Sequence, residues 1–150
     1  MAPTFFGSFE HSLDVKGRVI LPARFRTVFG AQAFLSKYQD GCLALWTSDE
    51  FYGKLAEQAV EQEKGRPERN LARIMAAGSQ EVDIDRQGRL AVPGFLREFA
   101  HLELESPILI VGILDRVEFW NPVEWDRRVK PAESQLTDEF DEPGVAAEAS

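Results

Sequence analysis

The sequence predicts an α+β, β-rich fold in which one supersecondary unit occurs twice along the chain. Three observations support this prediction. A long motif recurs at a constant offset, the segment before each copy alternates between apolar and polar residues, and helix-start signals follow at corresponding places. The 150 residues can form one compact domain or two small units that share a core.

The repeat is clearest in DVKGRVILPARFR, residues 14–26, and in DRQGRLAVPGFLR, residues 85–97. Each copy contains an Asp, a Gly-Arg pair, a Pro and a final Arg at the same offsets. Further along the chain, residues 42–51 match residues 116–125, with a Trp and a Glu at corresponding positions. Because local pattern and spacing both recur, we interpret the two halves as copies of one structural unit.

Alternating residues before each motif predict a strand with one buried face. The residues expected to face inward are Phe9, His11 and Leu13 in the first copy and Gln80, Val82 and Ile84 in the second. A tight turn follows, because Gly17 and Gly88 can take the positive φ that a hairpin commonly requires. Residues 19–21 are then expected to form the short return strand of that hairpin.

A short helix is expected after the return strand. Pro22 suits its first position, where the missing N–H of proline is no loss, and the helix should span residues 23–29. Two further strands, near residues 34–38 and 42–46, complete the unit.

Capping signals at residues 47–50 and 121–124 mark the starts of further helices. After the first signal, apolar residues at helical spacing predict two helices that are separated by a Gly and a Pro and that bridge the repeats. We therefore expect the first repeat, with its bridging helices, to cover residues 5–77 and the second repeat to cover residues 78–130.

The C-terminal segment, residues 131–150, contains six acids, no base and few large apolar residues. Such a segment cannot bury enough surface to offset the entropy of ordering, so a disordered acidic tail is predicted. The tail contributes most of the net charge of −8. It thereby conceals a basic patch, since residues 15–39 contain five bases and no acid.

The candidate chemistry lies in a D-x-x-x-R motif that pairs Asp14 with Arg18 and Asp85 with Arg89. Each carboxylate can reach across the turn and orient the guanidinium. For the two acids, a purely structural role as a staple of the turn stays open. For the arginines we favour function, because an exposed ion pair contributes only about 0–1 kcal/mol, whereas the guanidinium fork suits phosphate oxygens and the guanine edge.

These motifs carry a resemblance: FFGSFEHSLDVKGRVILPARFR followed by EVDIDRQGRLAVPGFLREFA resembles the MraZ family, whose mark is a duplicated D-x-x-x-R. The resemblance covers about residues 5–130. It implies two tandem AbrB-like swapped-hairpin repeats that form a pseudo-twofold barrel. It also implies ring-shaped homo-oligomers that bind promoter DNA of the bacterial division and cell-wall gene cluster and regulate transcription, usually as repressors.

By position, the resemblance assigns sequence-specific contact with double-stranded DNA to the two turns. The residues concerned are Lys16, Gly17, Arg18, Arg86, Gln87, Gly88 and Arg89, with Asp14 and Asp85 orienting the arginines. Gln87 stands where the first copy has Lys16. The candidates for supporting or phosphate contacts are Arg24, Arg26 and Arg97, and for the last two we favour pairing with a nearby carboxylate.

Other functional classes have less support in the sequence. There is no zinc-ligand spacing, no H-E-x-x-H and no phosphate-binding loop, so we expect no enzyme, no cofactor and no metal site. No apolar stretch approaches the roughly 18 residues of a membrane span, and the single Cys42 fits a reducing compartment. We therefore expect a cytoplasmic, nucleoid-associated protein without a membrane or small-molecule partner. The main alternative is an AbrB-type antitoxin whose acidic tail binds a basic toxin, against which the duplicated unit argues.

Overall fold

The computed structural model describes residues 4–141 as a mixed fold dominated by antiparallel strands, which confirms the predicted α+β, sheet-rich class. The strands are β1 (Phe5–Ser12), β2 (Arg18–Ile20), β3 (Gln32–Lys37), β4 (Leu43–Trp46), β5 (Ser79–Asp83), β6 (Arg89–Ala91), β7 (Pro107–Leu114) and β8 (Arg116–Trp120). The helices are α1 (Ala23–Phe29), α2 (Ser48–Glu61), α3 (Arg66–Ala77), α4 (Gly94–Ala100), α5 (Pro122–Arg128) and α6 (Ser134–Asp141). Short 3₁₀ turns occupy Gln39–Gly41, Gln62–Lys64 and Lys130–Glu133.

Six strands form one antiparallel sheet in the order β1–β7–β8–β4–β3–β5, while β2 and β6 pair separately. We call the β2–β6 pair the ribbon. The sheet order reads the same when the repeats are exchanged, because β1 to β4 of the first copy correspond to β5 to β8 of the second. Each repeat therefore gives its first strand to the other: β1 pairs with β7, and β5 pairs with β3.

This exchange corrects the prediction of a local hairpin in each copy. The turn at Gly17 is tight, but β2 does not pair with the strand before it, because its three residues pair with β6 of the other repeat. The pairing brings the apolar side chains of Val19 and Leu90 side by side on the buried face of the ribbon. The six-stranded sheet ends at β1 and β5 and is not closed, so the expected barrel is not confirmed.

The main core lies where the inner face of the sheet meets the ribbon and the short helices α1 and α4. Val19 and Leu90 enter it from the ribbon, and Phe25 and Leu96 enter it from the helices. Phe5 anchors the first strand there, with its ring stacked on Phe29 at 5.1 Å between centroids. The ribbon is therefore held from beneath by the core while its other face stays open to solvent.

The predicted burial pattern of the first strands holds with one exception. Leu13, Val82 and Ile84 are buried, and Phe9 and His11 are half-buried. Gln80 lies on the core side of β5, opposite buried Leu35, yet it is exposed. The prediction that it is covered is wrong because β5 is an edge strand, whose end leaves the polar side chain open to water.

Both capping signals start helices, as predicted. The Thr47 hydroxyl accepts a hydrogen bond from the Glu50 N–H at 3.4 Å, at the start of α2. The Asn121 side chain accepts from the N–H groups of Val123 and Glu124, at 2.8 and 3.2 Å, at the start of α5. The bridging helices α2 and α3 cover the outer face of the sheet, where Phe51 and Met75 are buried with Trp46.

The C-terminal segment differs from its prediction over the residues that the structure describes. Disorder was expected throughout residues 131–150, but a 3₁₀ turn at Lys130–Glu133 leads into α6. The side chains of residues 131–138 are exposed, so this segment forms backbone hydrogen bonds without joining the core. The expectation for residues 142–150 lies outside the described residues.

Candidate nucleic-acid interface

The first D-x-x-x-R turn is organised by one carboxylate. Asp14 Oδ1 accepts hydrogen bonds from the backbone N–H of Lys16 at 2.9 Å and of Arg18 at 2.8 Å. Its second oxygen, Oδ2, accepts from Arg18 Nε at 2.8 Å. Gly17 completes the turn with a φ of 78°. The carboxylate thus fixes both the backbone of the turn and the direction of the arginine.

The second turn repeats this geometry almost bond for bond. Asp85 Oδ1 accepts from the N–H groups of Gln87 and Arg89, each at 2.9 Å, and Oδ2 accepts from Arg89 Nε at 2.9 Å. Gly88 has a φ of 82°. The replacement of Lys16 by Gln87 therefore leaves the turn unchanged, because the bond uses the backbone N–H and not the side chain.

These hydrogen bonds hold the pKa of Asp14 and of Asp85 below the ordinary value. The largest cause in each turn is the backbone N–H of the motif arginine, Arg18 or Arg89, and the guanidinium adds to it. Both acids are therefore ionised throughout the neutral range, and each arginine keeps an oriented counter-ion. Within residues 4–141, the hydrogen bonds of both guanidinium groups involve Nε alone, which leaves the terminal nitrogens available to a ligand.

The ribbon places both motif arginines on one face. Its register sets Arg18 opposite Ala91 and Ile20 opposite Arg89. Directly opposed residues share a face, and residues two apart along a strand do so as well. All four side chains therefore project away from the buried face, with the two arginines as diagonal neighbours whose backbones are about 7–8 Å apart.

The two turns are also tied to the ribbon by reciprocal backbone bonds. The Val92 N–H donates to the Gly17 carbonyl, and the Leu21 N–H donates to the Gly88 carbonyl, both at 2.9 Å. Each turn is thereby attached to the strand end of the other repeat. Because the strands are antiparallel, the turns lie at opposite ends of the ribbon, with Arg18 and Arg89 between them.

The sequence matches one protein family in both halves. The family is described as "MraZ protein, putative antitoxin-like", and it matches over residues 4–74 and again over residues 75–142. The chain belongs to the MraZ family. Each match contains one copy of the D-x-x-x-R motif, and the second match extends to residue 142.

Relatives across several bacteria cover most of the chain. A protein named "Transcriptional regulator MraZ" from Desulforamulus reducens is 40% identical over 138 residues, covering 88% of this chain and 92% of the relative. Proteins of the same name from Alkaliphilus oremlandii and Pediococcus pentosaceus are 38% and 36% identical, covering 82% and 89% of this chain and 85% and 92% of the relatives. MraZ relatives are thus named for transcriptional regulation, which is not an enzyme class.

The three further arginines predicted near the interface differ in what they contact. Arg24 donates to the Phe6 carbonyl at 3.4 Å and lies over the rings of Phe6 and Phe9. Arg26 donates from Nη1 to the Gln87 carbonyl at 3.1 Å, and Arg97 donates from Nε to the Val92 carbonyl at 3.0 Å. Among the side chains of residues 4–138, neither Arg26 nor Arg97 forms an ion pair, so the favoured pairing with a carboxylate is wrong: each arginine donates to a backbone carbonyl instead.

Two ribbon residues were missed as candidate MraZ interface residues. Ile20 is 46% exposed although it is a large aliphatic residue, and Ala91, which lies opposite Arg18, is exposed too. The strand alternation that buries Val19 would have identified Ile20 as outward-facing. The identity of the opposing residue could not be read from the motif, because the pairing strand belongs to the other repeat.

Among residues 4–141, no helix combines the length and apolar character needed to cross a membrane. In the same part of the chain, no group of three or more His, Cys, Asp or Glu side chains has an arrangement suited to a metal ion.

Proposed function

We propose that this protein binds double-stranded promoter DNA sequence-specifically through the outward face of the ribbon and represses the bacterial division and cell-wall gene cluster. One observation carries the proposal: Arg18 and Arg89 lie on the same solvent-facing side of a two-stranded antiparallel ribbon, each oriented by its own carboxylate. The names of the relatives support regulation of transcription as the setting.

The major groove of B-DNA admits a two-stranded β-ribbon, which is the arrangement that β2 and β6 form. A guanidinium held by Nε can direct its terminal nitrogens to the O6 and N7 acceptors of guanine. Lys16 and Arg86, in the exposed turns at the two ends, are suited to phosphate contacts along the groove walls. In this arrangement the ribbon reads bases and the turns position it.

The charge distribution is compatible with this proposal despite the net charge of −8. The ribbon and its turns carry Lys16, Arg18, Arg86 and Arg89 against the two acids Asp14 and Asp85, whereas the acidic C-terminal segment follows α5 and lies outside the ribbon and its turns. Local cations determine contact with phosphates, because charges separated by more than about 8–10 Å are largely screened at physiological salt.

We include in the proposal a ring-shaped homo-oligomer built on AbrB-like swapped hairpins. The exchange of strands between repeats is what a swapped-hairpin pair inside one chain requires. Exposed apolar side chains on the bridging helices, among them Tyr52, Val60, Leu71 and Ile74, offer surface for contacts between subunits. A ring would present several ribbons at once to repeated DNA sites, and such multivalent binding raises affinity without new contacts. The site of action in this proposal is the cytoplasm, on the nucleoid.

The decisive experiment compares Arg18→Ala with the matched control Arg127→Ala. Arg127 is also an exposed arginine paired with a carboxylate, Glu124, but it lies on α5 and away from the ribbon. Footprinting upstream of the protein's own gene first locates the site, and fluorescence anisotropy then measures affinity. We expect Arg18→Ala to abolish or severely weaken binding, since a bidentate base contact carries roughly 1–3 kcal/mol and every subunit loses it. Unchanged affinity in a folded Arg18→Ala protein would refute the proposal.

An antitoxin function is a second candidate, favoured by the wording of the family description. The acidic composition of residues 131–150 suits a basic partner. Co-purification from the native host separates the two functions. A basic protein that is captured by the full chain and lost after truncation at Pro131 would favour the antitoxin function, while capture of promoter DNA alone would favour the regulator.

A further inference from the structure

The turn of the second repeat is covered by an arginine from the first. Arg26, in α1, donates from Nη1 to the carbonyl of Gln87 at 3.1 Å. Its guanidinium also lies directly over Gly88, where a Cβ atom would come within 2.6 Å of Arg26 Nε and Cζ. Gly88 is therefore needed for two reasons, its positive φ and the room it leaves for this side chain.

The reverse arrangement occurs at the first turn, in a less direct form. Arg97, in α4, lies against Gly17, where a Cβ would come within 3.0 Å of Arg97 Nε. The same Nε donates to the Val92 carbonyl at 3.0 Å, and the Val92 N–H in turn donates to the Gly17 carbonyl at 2.9 Å. Arg97 thus reaches the first turn through one intervening peptide, whereas Arg26 bonds the second turn itself.

We propose that Arg26 and Arg97 are positioning residues of the interface: each holds the DNA-binding turn of the opposite repeat in place, and neither contacts DNA. This inference rests on the proposed function. Both side chains are half-buried, and Arg26 Nε is shielded from solvent without a hydrogen-bond partner within residues 4–141. A guanidinium that is packed against buried Gly88 and bonded through Nη1 to the Gln87 carbonyl is poorly placed to reach a phosphate on the solvent side of the turn.

The consequence is a coupling between the repeats. A change in α1 of the first repeat alters the conformation of the turn at residues 86–88, and a change in α4 alters the turn at residues 15–17. The coupling is unequal, because only Arg26 forms a direct hydrogen bond to a turn. We therefore expect loss of Arg26 to affect its turn more than loss of Arg97 affects the other.

The test uses the full chain and the variant Arg26→Gln. Amide hydrogen exchange without DNA should rise in residues 86–89 and stay unchanged in residues 15–18. DNA affinity should fall about tenfold, as when one oriented arginine–base contact is weakened, while the slope of log affinity against log salt stays constant. A phosphate contact would instead make that slope shallower by about 0.9. Arg26→Lys should not restore binding, since an ammonium group cannot lie flat over Gly88 while bonding Gln87.

Several results would overturn the inference. These are unchanged amide exchange at residues 86–89, a shallower salt slope, or full DNA affinity in the Arg26→Lys variant. Arg26→Lys keeps the charge, so it can replace Arg26→Gln in these measurements if the latter variant does not fold. Arg18→Ala and Arg89→Ala separate this inference from the proposed function. If both variants bind DNA normally, the proposed function fails. If both bind weakly while Arg26→Gln binds normally, only the positioning role fails.

Discussion

The side chain of each motif acid accepts three hydrogen bonds that organise its turn. Asp14 accepts two backbone N–H groups and one guanidinium Nε, and Asp85 does the same. The backbone bonds define the turn, and the side-chain bond removes rotamer freedom from the arginine. Such orientation lowers the entropy that a flexible arginine would lose on binding a base. The same carboxylate therefore holds the turn and orients the arginine.

This arrangement predicts a pH-dependent contribution to stability. The folded-state pKa of Asp14 and of Asp85 lies below the ordinary value of 3.8, so their contribution is fully present above that value and is lost as pH falls through the folded pKa. The double variant Asp14→Asn/Asp85→Asn should be less stable than the natural protein at pH 7, and the difference should shrink below about pH 4. Urea unfolding at both pH values measures it. A difference that persists unchanged in acid would contradict the ionised carboxylate as its source.

The sequence was sufficient for these local contacts and insufficient for those of Arg26. Asp14 and Arg18 are four residues apart, so the tight turn alone brings them together. Arg26 and Gln87 are separated by 61 positions, and only the pairing of β2 with β6 makes them neighbours. We expected a carboxylate partner for Arg26, but the exchange of strands between the repeats places the Gln87 carbonyl beside it.

At the scale of the element, the ribbon combines a buried apolar face with a basic, partly apolar outer face. Ile20 lies on this outer face and is 46% exposed. Replacing it by Glu should cost little stability but place a negative charge between Arg18 and Arg89. We therefore expect Ile20→Glu to weaken DNA binding strongly, measured by fluorescence anisotropy. Val123→Glu, at a 69% exposed position on α5, adds the same charge away from the ribbon and from the bridging helices, and it should bind nearly normally. Equal affinities of the two variants would argue against the ribbon face.

A glycine in β7 controls the attachment of the first strand. Gly112 lies opposite Gly7, and a Cβ at Gly112 would come within 2.8 Å of the backbone of Phe5 and Phe6. Gly112→Ala should therefore force β1 away and lower the free energy of unfolding by about 1–3 kcal/mol. Gly53→Ala, in an open position of α2 with nothing within 4 Å, should instead raise it by about 0.5–1 kcal/mol. Urea unfolding distinguishes the two variants. An unchanged free energy of unfolding in Gly112→Ala would show that β1 is loosely held.

The elements themselves were largely predictable, whereas their partners were not. The short helix expected at residues 23–29 is α1, and the strands expected near residues 34–38 and 42–46 are β3 and β4. Periodicity and capping identify such elements because they are local properties. The pairing of β1 with β7 depends on which apolar faces meet in the core. Because the two copies are similar, a strand can bury the same side chains against its own repeat or against the other one, and the sequence does not distinguish these pairings.

At the scale of the whole molecule, this exchange makes the two repeats interdependent. In the first repeat, β1 and β2 have their pairing strands, β7 and β6, in the second repeat. The main core likewise draws Phe25 from one repeat and Leu96 from the other. Separating the repeats would therefore expose two unpaired strands and half of a hydrophobic core. A duplicated sequence does not here imply two independently stable units.

A fragment of residues 5–77 should for this reason not exist as a folded monomer. Its unpaired strands can be satisfied only by a second chain, so sedimentation and circular dichroism should find either an unfolded monomer or a dimer in which one copy replaces the missing repeat. Adding an equimolar fragment of residues 78–141 should restore a cooperative thermal transition, because it supplies β5 to β8. The control is each fragment alone at the same total concentration. A monomeric 5–77 fragment with its own cooperative transition would mean that β1 and β2 can pair within their own repeat. The local and the exchanged pairings would then have similar stability.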